Sequence, residues 1–527
     1  MVAANWRRAG YGIDQQANDT YDCVQGSEVR RDRGGGEMTR GLLMAVAMWF
    51  VSSWQSSGAG GALSSPDRPW IGRVAAVRPS PRQWAWQQRE MGVFIHFGMN
   101  TFTGSEWGNG QEDPKLFSPT ALDCRQWCQV TRDLGAKSIV LVAKHHDGFC
   151  LWPSGFTEHS VKASPWKNGQ GDVVKDLADA CREFRLKFGI YLSAADRHHP
   201  AYGIDHEAYN TYYKNQLREL LTEYGEISEV WFDGASPHQR RQKYDYPGCY
   251  ALIRELQPNA VISIKGPDVR WVGNEAGQAR ESEWSVIPLP MPPEQYDWPD
   301  LEGPDLGSRQ RLQGAKYLHW YPAQADVSMR PGWFYRRSED RLVKSLRQLT
   351  DIYYSSVGRN AALLLNLTPD QRGLIPELDA QRAKEFGDKV RATFATNLLV
   401  GARVAASNVN RQDAPAGPDK LTDGDLRTYW QPEDWSGPVE LVFTLEKPVT
   451  INRIMLQENI ALGQRIERFG VDAWIENGWL EIGSGTTVGY KRLLRLRSAV
   501  TTERLRIRIP EARVAPTLAE VGAYWES

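Results

Sequence analysis

"LVAKHHDGFCLW", residues 141–152, is the stretch from which the chain is best read. An apolar run that opens at Ile139 closes here. Lys144, His145, His146 and Asp147 then arrive together before a glycine. A metal site, strand-end histidines with purely structural partners, and a sugar-binding site all fit that arrangement. Working outward, "MGVFIHFG" (91–98), "KSIVLVAKH" (137–145), "KFGIYLSA" (187–194), "EVWFDGA" (229–235) and "AVISIKG" (260–266) read as short buried strands. Amphipathic helical stretches lie between them, among them "ALDCRQWCQVTRDLG", "DVVKDLADACREFRL", "YNTYYKNQLRELLTEYG" and "YPGCYALIRELQP". Strand–helix alternation with strands apolar on both faces predicts a parallel sheet. With "AKYLHWYPA", "EDRLVKSLRQLTDIYYSSVG" and "NAALLLNL" continuing the rhythm, residues 66–395 are expected to form a (β/α)8-type, TIM-like barrel. His96, His145, His146, Tyr191 and Asp233 all fall where these strands end, the face on which barrel enzymes build their sites.

Past residue 395 the period changes. "VELVFTLEK", "VTINRIMLQE", "ERFGVDAWIE", "GWLEIGSG" and "RLRIRIP" alternate with turn residues and no long helical stretch intervenes. Residues 396–527 are therefore expected to form an all-β sandwich.

The 527 residues carry 63 basic and 64 acidic side chains, a net charge of −1, which favours neither nucleic acid nor an anionic membrane as partner. The chain holds 21 Trp and 20 Tyr. Aromatic faces stack on the C–H faces of sugars, and they equally fill large cores. Residues 1–37 are a polar, Gly- and Arg-rich leader. Met38 then opens "MTRGLLMAVAMWFVSSWQSSGAGGALSS", with Arg40, an apolar run and a small-residue zone. This predicts a secretory signal peptide over 38–62 and a secreted mature protein, either with Met38 as the start or, as the alternative, with a genuine long leader and an uncleaved anchor. The cysteines are Cys23, Cys124, Cys128, Cys150, Cys181 and Cys249. They read as mostly free, buried thiols with one or two bridges at most.

Asp233 in "VWFDGA" could simply cap a helix. The loop "GPDVRWVGNEAG" (266–277), after the next strand, changes that reading by presenting Asp268, Arg270 and Glu275. Two carboxylates on neighbouring strand-end loops are what a glycosidase needs, one to attack or activate water and one to protonate the leaving oxygen. A metal hydrolase built on Asp147, His96 and one of the paired histidines is the competing reading. A regular strand would send His145 and His146 to opposite faces, against joint chelation. Neutral imidazoles donate and accept, which suits sugar hydroxyls. Glu106 adds an acceptor and Trp107 a stacking surface.

The ordered set "GVFIHFG", "EW", "AKHHDGF", "GIYLS", "VWFDG", "RWVGNEAG", "SMRPGWFY" and "GRNAALLLNLTPDQRG" resembles glycoside hydrolase family 29, the α-L-fucosidases. The tail, with "LTDGDLRTYW" and "GQRIERFGVDAW", resembles a discoidin-type sandwich. Within the family, "GPDVRWVGNEAG" and "SMRPGWFY" are similar to the branch that includes plant members and acts on α-1,3- and α-1,4-linked fucose. The resemblance implies Asp233 as nucleophile and Glu275 as acid/base, with Glu283 as the alternative acid/base. It implies His96, Glu106, Trp107, His145, His146, Tyr191, Trp231 and Arg270 as substrate-binding residues. It further implies a retaining mechanism with carboxyl groups about 5 to 5.5 Å apart, no cofactor or metal, and a fucosylated oligosaccharide or glycoprotein as partner. A fucose-binding lectin on an inactive barrel is the alternative. The "NLT" sequon at Asn366 is expected to be unmodified.

Overall fold

The computed structural model describes residues 68–234, 241–408, 417–433 and 435–527. The leader, the signal segment and Cys23 lie outside these residues. Sixteen strands are present among them, numbered here in chain order. In the first part of the chain these are β1 (Met91–Ile95), β2 (Ser138–Lys144), β3 (Lys187–Leu192), β4 (Glu229–Phe232), β5 (Val261–Ile264), β6 (Arg270–Trp271), β7 (Val286–Leu289), β8 (Tyr317–Trp320), β9 (Ala323–Ser328) and β10 (Ala361–Leu367). Eight of them pair in the order β5-β4-β3-β2-β1-β10-β9-β6, every pair parallel. The two ends nearly close through a parallel bridge between Ser263 and Val269, where Ile264 N–H donates to the Val269 carbonyl at 2.8 Å. Ile264 takes a left-handed φ of 72°, unusual for a β-branched residue. That kink turns the chain from β5 back into β6.

The alternation along each strand sorts two layers. Val93, Ile95, Ile139, Leu141 and Ile190 face outward to the helices. Phe94, Val140, Val142, Tyr191, Trp231, Ile264 and Leu364 fill the barrel. The helices begin where aspartates sit: Asp123, Asp172, Asp205 and Asp245 each accept a backbone N–H of the first turn, a cap worth about 1 kcal/mol.

Two expectations need correction. "AKYLHWYPA" does not supply one barrel strand. Its first half, β8, pairs antiparallel with β7 in a separate two-stranded sheet, and only β9 joins the barrel. The barrel strand missed in the sequence is β6, two residues inside what reads as a loop. The five described cysteines are free and buried. Cys128 faces Cys181 of the next helix, with sulfurs 3.9 Å apart.

The remaining strands, β11 (Arg403–Ala406), β12 (Val439–Gln457), β13 (Ile466–Ile475), β14 (Gly478–Gly485), β15 (Arg492–Ala512) and β16 (Glu520–Tyr524), form an antiparallel β domain. Segments expected as separate strands merge. "VELVFTLEK" and "VTINRIMLQE" are one bulged strand, β12.

This domain shares a core with the barrel. Met455, Leu493 and Tyr524 belong to the barrel's outer apolar layer, and the Tyr524 and Phe394 rings lie 5.1 Å apart. Glu90 accepts from Lys491 Nζ at 2.6 Å and from the Tyr490 hydroxyl at 3.1 Å. Ending the chain at residue 395 would uncover this face. Each buried apolar side chain so exposed costs about 1.5 to 3 kcal/mol. The truncated protein is expected to be insoluble or aggregated. A soluble, monomeric and active truncation in analytical ultracentrifugation would show that the barrel stands alone.

Candidate active site

The strand ends gather the predicted residues into one cluster. The pairing of β2 with β3 slips between Val142 and Lys144, and the strand stops at Lys144. His145 and His146 therefore lie beyond the regular alternation. Their rings converge, with centroids 4.1 Å apart, where a regular strand would have separated them. His145 lies 5.8 Å from His96 and stacks at 5.9 Å with Tyr191. Trp107 meets His146 edge-on at 5.3 Å.

The protonation pattern of these rings follows from their partners. The Asn366 amide nitrogen donates to the Ser328 hydroxyl and to the Trp333 carbonyl, both at 2.9 Å. Its oxygen therefore faces His96 Nδ1 at 2.8 Å, and Nδ1 carries the proton. His96 Nε2 is left as an acceptor. Burial pushes the His96 pKa down to about 3 and holds His145 well below its ordinary value. Both imidazoles are neutral. Asn366 is fully buried with its amide in these bonds, which leaves no room for a glycan.

Asp233 ends β4. Its Oδ2 accepts the Tyr191 hydroxyl at 2.7 Å and lies 3.6 Å from His146 Nε2. Below it, Trp231 stacks on Tyr191 at 5.3 Å and donates from Nε1 to Gln324 at 2.9 Å. Gln324 in turn donates to Glu229 at 3.0 Å. Glu229 also receives Ser263 Oγ at 2.7 Å and Trp86 Nε1 at 3.0 Å. A buried carboxylate with neutral donors thus closes the barrel floor and fixes the Trp231 ring.

Glu275 sits on the loop that follows β6. Gly273 and Gly277 take φ of +103° and +69°, and a Cβ on Gly277 would lie 2.8 Å from the Ile352 side chain. Only glycine permits that return of the chain. Glu275 is exposed on this loop, with its carboxyl against the Trp333 indole. Desolvation by the protein around that carboxyl raises its pKa to about 7. The charges of Asp233 and Glu106 add to the rise, and a hydrogen bond from Trp333 opposes it. Trp333 Nε1 donates to Glu275 Oε2 at 3.2 Å.

Trp333 is the residue that sequence reasoning missed. Its backbone N–H donates to Glu106 Oε1 at 2.5 Å, its carbonyl accepts from Asn366, and its ring lies 5.0 Å from His96. One residue therefore ties Glu106, His96 and Glu275 together. Glu106 also pairs with Arg336, and burial raises its pKa. Asp326 was missed as well. It is buried inside the barrel and accepts Trp271 Nε1 at 2.7 Å. Burial, with Glu275 adding, holds its pKa well above the carboxylate range. The available signals were an acid inside the β9 segment and an aromatic in the loop that follows it.

The structure does not bring Arg270 to the cluster. Trp271 points into the barrel, so its neighbour on the strand points out. Arg270 is buried and donates to Glu283, the Trp284 carbonyl and the Tyr321 carbonyl. Glu283 is equally buried and pairs with Arg270 and Arg280. It lies with its arginines, not beside Asp233. Asp268 is likewise held by Arg82 and Arg254. Asp147, a candidate metal ligand, accepts from Asn100 at 2.9 Å and from Phe149 N–H at 2.7 Å. Among the described residues no three His, Cys, Asp or Glu side chains are grouped to hold a metal ion.

Comparison with known proteins gives this geometry its family. The α-L-fucosidase family model matches residues 109–393, and the F5/8 type C domain model matches residues 403–521. The chain is 42% identical to α-L-fucosidase 1 of Arabidopsis thaliana over 454 residues, covering 85% of this chain and 87% of that one. The plasma α-L-fucosidase of Homo sapiens is 29% identical over 163 residues, 29% of this chain and 33% of that one. Among solved structures, a family 29 fucosidase of Ruminococcus gnavus in complex with fucose superposes with a TM-score of 0.76 at 30% identity, covering 86% of this chain and 95% of that one. The chain belongs to the α-L-fucosidases of glycoside hydrolase family 29, with an F5/8 type C domain at its C-terminal end.

Proposed function

We propose that this fucosidase is a retaining enzyme that releases terminal α-1,3- and α-1,4-linked L-fucose from oligosaccharides or glycoproteins. In this reading Asp233 is the nucleophile and Glu275 the acid/base. The observation that carries it is the contrast between the two carboxyls. Asp233 is oriented by the Tyr191 hydroxyl at 2.7 Å, while desolvation at its carboxyl, with the charges of Asp233 and Glu106 adding, pushes Glu275 up to about 7. Two carboxyl groups whose environments differ in this way divide the work of acid and nucleophile. Glu275 protonates the leaving oxygen as Asp233 attacks the anomeric carbon, then takes a proton from the water that releases fucose. His96, His145, His146, Glu106 and Tyr191 supply the donors and acceptors for the fucose hydroxyls. Trp231, Trp107 and Trp333 supply apolar walls.

The linkage preference rests on motifs shared with the plant-containing branch and on the long match to the plant relative. It is tested by incubating the protein with α-1,4- and α-1,3-fucosylated lactosamine trisaccharides beside an α-1,2-fucosylated disaccharide. Fucose is expected from the first two only. Release from the α-1,2 substrate at a comparable rate would overturn the assignment. We further propose that the enzyme acts outside the cell, after removal of residues 38–62. The segment's signal-peptide pattern supports this, and N-terminal sequencing of secreted material checks it.

The pKa pattern fixes the sign of a pH effect. Glu275 must be protonated to act as acid, so kcat/KM falls as pH rises through about 7. The Trp333 indole N–H favours the ionised form of Glu275. Trp333→Phe removes it and is expected to move this alkaline limb upward by about half a pH unit, each unit being about 1.4 kcal/mol. A downward shift in the pH–kcat/KM profile would contradict the assignment.

A further inference from the structure

Lys144 and the segment 193–199 carry an arrangement that the reaction as described does not use. The slip at the end of β2 places Lys144 beneath the helix His206–Glu223, away from the sugar cluster. Its side chain is completely buried. Nζ donates to Asp196 Oδ2 at 3.0 Å and to Gln216 Oε1 at 2.8 Å, and lies over the rings of Tyr212 and Tyr213 at 5.1 and 5.5 Å. The Tyr212 hydroxyl also donates to Asp196 Oδ2 at 3.1 Å. The other Asp196 oxygen accepts the backbone N–H groups of His198 and His199 at 3.0 and 2.9 Å. At Gly148, with φ +83°, a Cβ would lie 2.3 Å from that oxygen. The glycine of "HHDGF" is thus required by the ion pair.

The pinned segment grips the histidine pair. Ser193 N–H donates to the Lys144 carbonyl at 3.0 Å, and Arg197 N–H to the His146 carbonyl at 2.9 Å. The Ser193 hydroxyl donates its one proton to the Ala195 carbonyl at 2.6 Å. Its contact with His146 Nδ1, at 2.7 Å, can then only be accepted. Nδ1 must then carry a proton. The other ring nitrogen, Nε2, lies 3.6 Å from Asp233 Oδ2.

We propose that Ser193, Asp196 and Lys144 are positioning residues for the reaction at Asp233. The buried ion pair holds the segment 193–199, and the Ser193 hydroxyl locks the tautomer and tilt of His146. With Nε2 unprotonated, His146 accepts a hydrogen bond from a sugar hydroxyl beside Asp233. The opposite tautomer would lose that acceptor and cap the carboxylate with an N–H, blunting its attack. The inference rests on the reading of Asp233 as nucleophile. Partners that fix the tautomer of a working histidine typically contribute about 10- to 100-fold where they have been removed at metal sites.

The test begins with the unaltered enzyme. In 15N spectra of histidine-labelled protein, with His146 assigned by its loss in His146→Gln, Nδ1 is expected to be protonated. An unprotonated Nδ1 overturns the proposal without any folding variant. Ser193→Ala is then expected to lower kcat/KM on an aryl α-L-fucoside by about 10-fold or more. It should weaken inhibition by free fucose and turn His146 into a tautomer mixture. Ser193→Thr keeps the hydroxyl and should restore both readouts. Lys144→Met should shift the same signals in the same direction. Wild-type kinetics and an unchanged His146 spectrum in Ser193→Ala would sink the proposal. Asp233→Ala separates the two readings. If it stays active, the nucleophile assignment fails. If it is inactive while Ser193→Ala behaves as wild type, only the positioning chain fails.

Discussion

Asp233→Ala is expected to fold normally and to lose activity on fucosides by on the order of 10⁴-fold or more, as removal of a covalent nucleophile does elsewhere. The side chain is partly exposed at a strand end, so its loss opens no core cavity. The melting temperature should barely move. What disappears is the group that forms the glycosyl–enzyme bond, and water alone has no activated substitute in its place. Azide supplies one. A small anion fits the space left by the carboxylate and attacks the anomeric carbon from the same side. The rescued product is therefore expected to be β-L-fucosyl azide, with inverted configuration. Rescue giving the α anomer, or full activity without azide, would place the nucleophile elsewhere.

Glu275→Ala has the second largest expected effect, and its signature is different. General acid catalysis is worth about 10² to 10⁴-fold. The loss should approach the upper end for glycans, whose sugar leaving groups need the proton. A dinitrophenyl fucoside leaves without one, so its first step should be nearly untouched and its turnover limited by the second. Azide needs no general base and intercepts the fucosyl–enzyme from the side that water uses. The product is then α-L-fucosyl azide, with retention. Opposite anomers from the two variants would assign the two roles in one experiment. The pH profile should follow. The alkaline limb near pH 7, due to the raised pKa of Glu275, is expected to vanish in Glu275→Ala.

Much of this site was legible in the sequence, because strand ends are legible. His96, His145, His146, Tyr191 and Asp233 all follow apolar runs, and parallel strands deliver such residues to one face. The alternation rule misled in one place. It would have separated His145 from His146, but β2 ends before them. Arg270 reads as part of a loop, to which the rule does not apply. Once Arg270 and Trp271 are known to be a strand, one of the two must face outward. Arg270 does, toward Glu283. A strand of two residues carries no periodic signal, and its partner Ala323–Gln324 is more than fifty residues away. Trp333 was hidden for a related reason. Its importance lies in its backbone N–H and carbonyl as much as in its ring, and nothing in a residue's identity tells where those groups point. The long-range pairs that join the barrel to the β domain, such as Glu90 with Lys491, were equally silent. Single charges have no register to read.

The assignment of Asp233 as nucleophile is tested by catching the covalent intermediate. Glu275→Ala would be mixed with dinitrophenyl α-L-fucoside, quenched in acid within the first turnover, digested and mapped by mass spectrometry. One fucosyl unit is expected on the peptide that contains Asp233, and on that residue. A fucosyl unit on another carboxylate would contradict it. So would no adduct together with β-L-fucose as the first product of the wild-type enzyme.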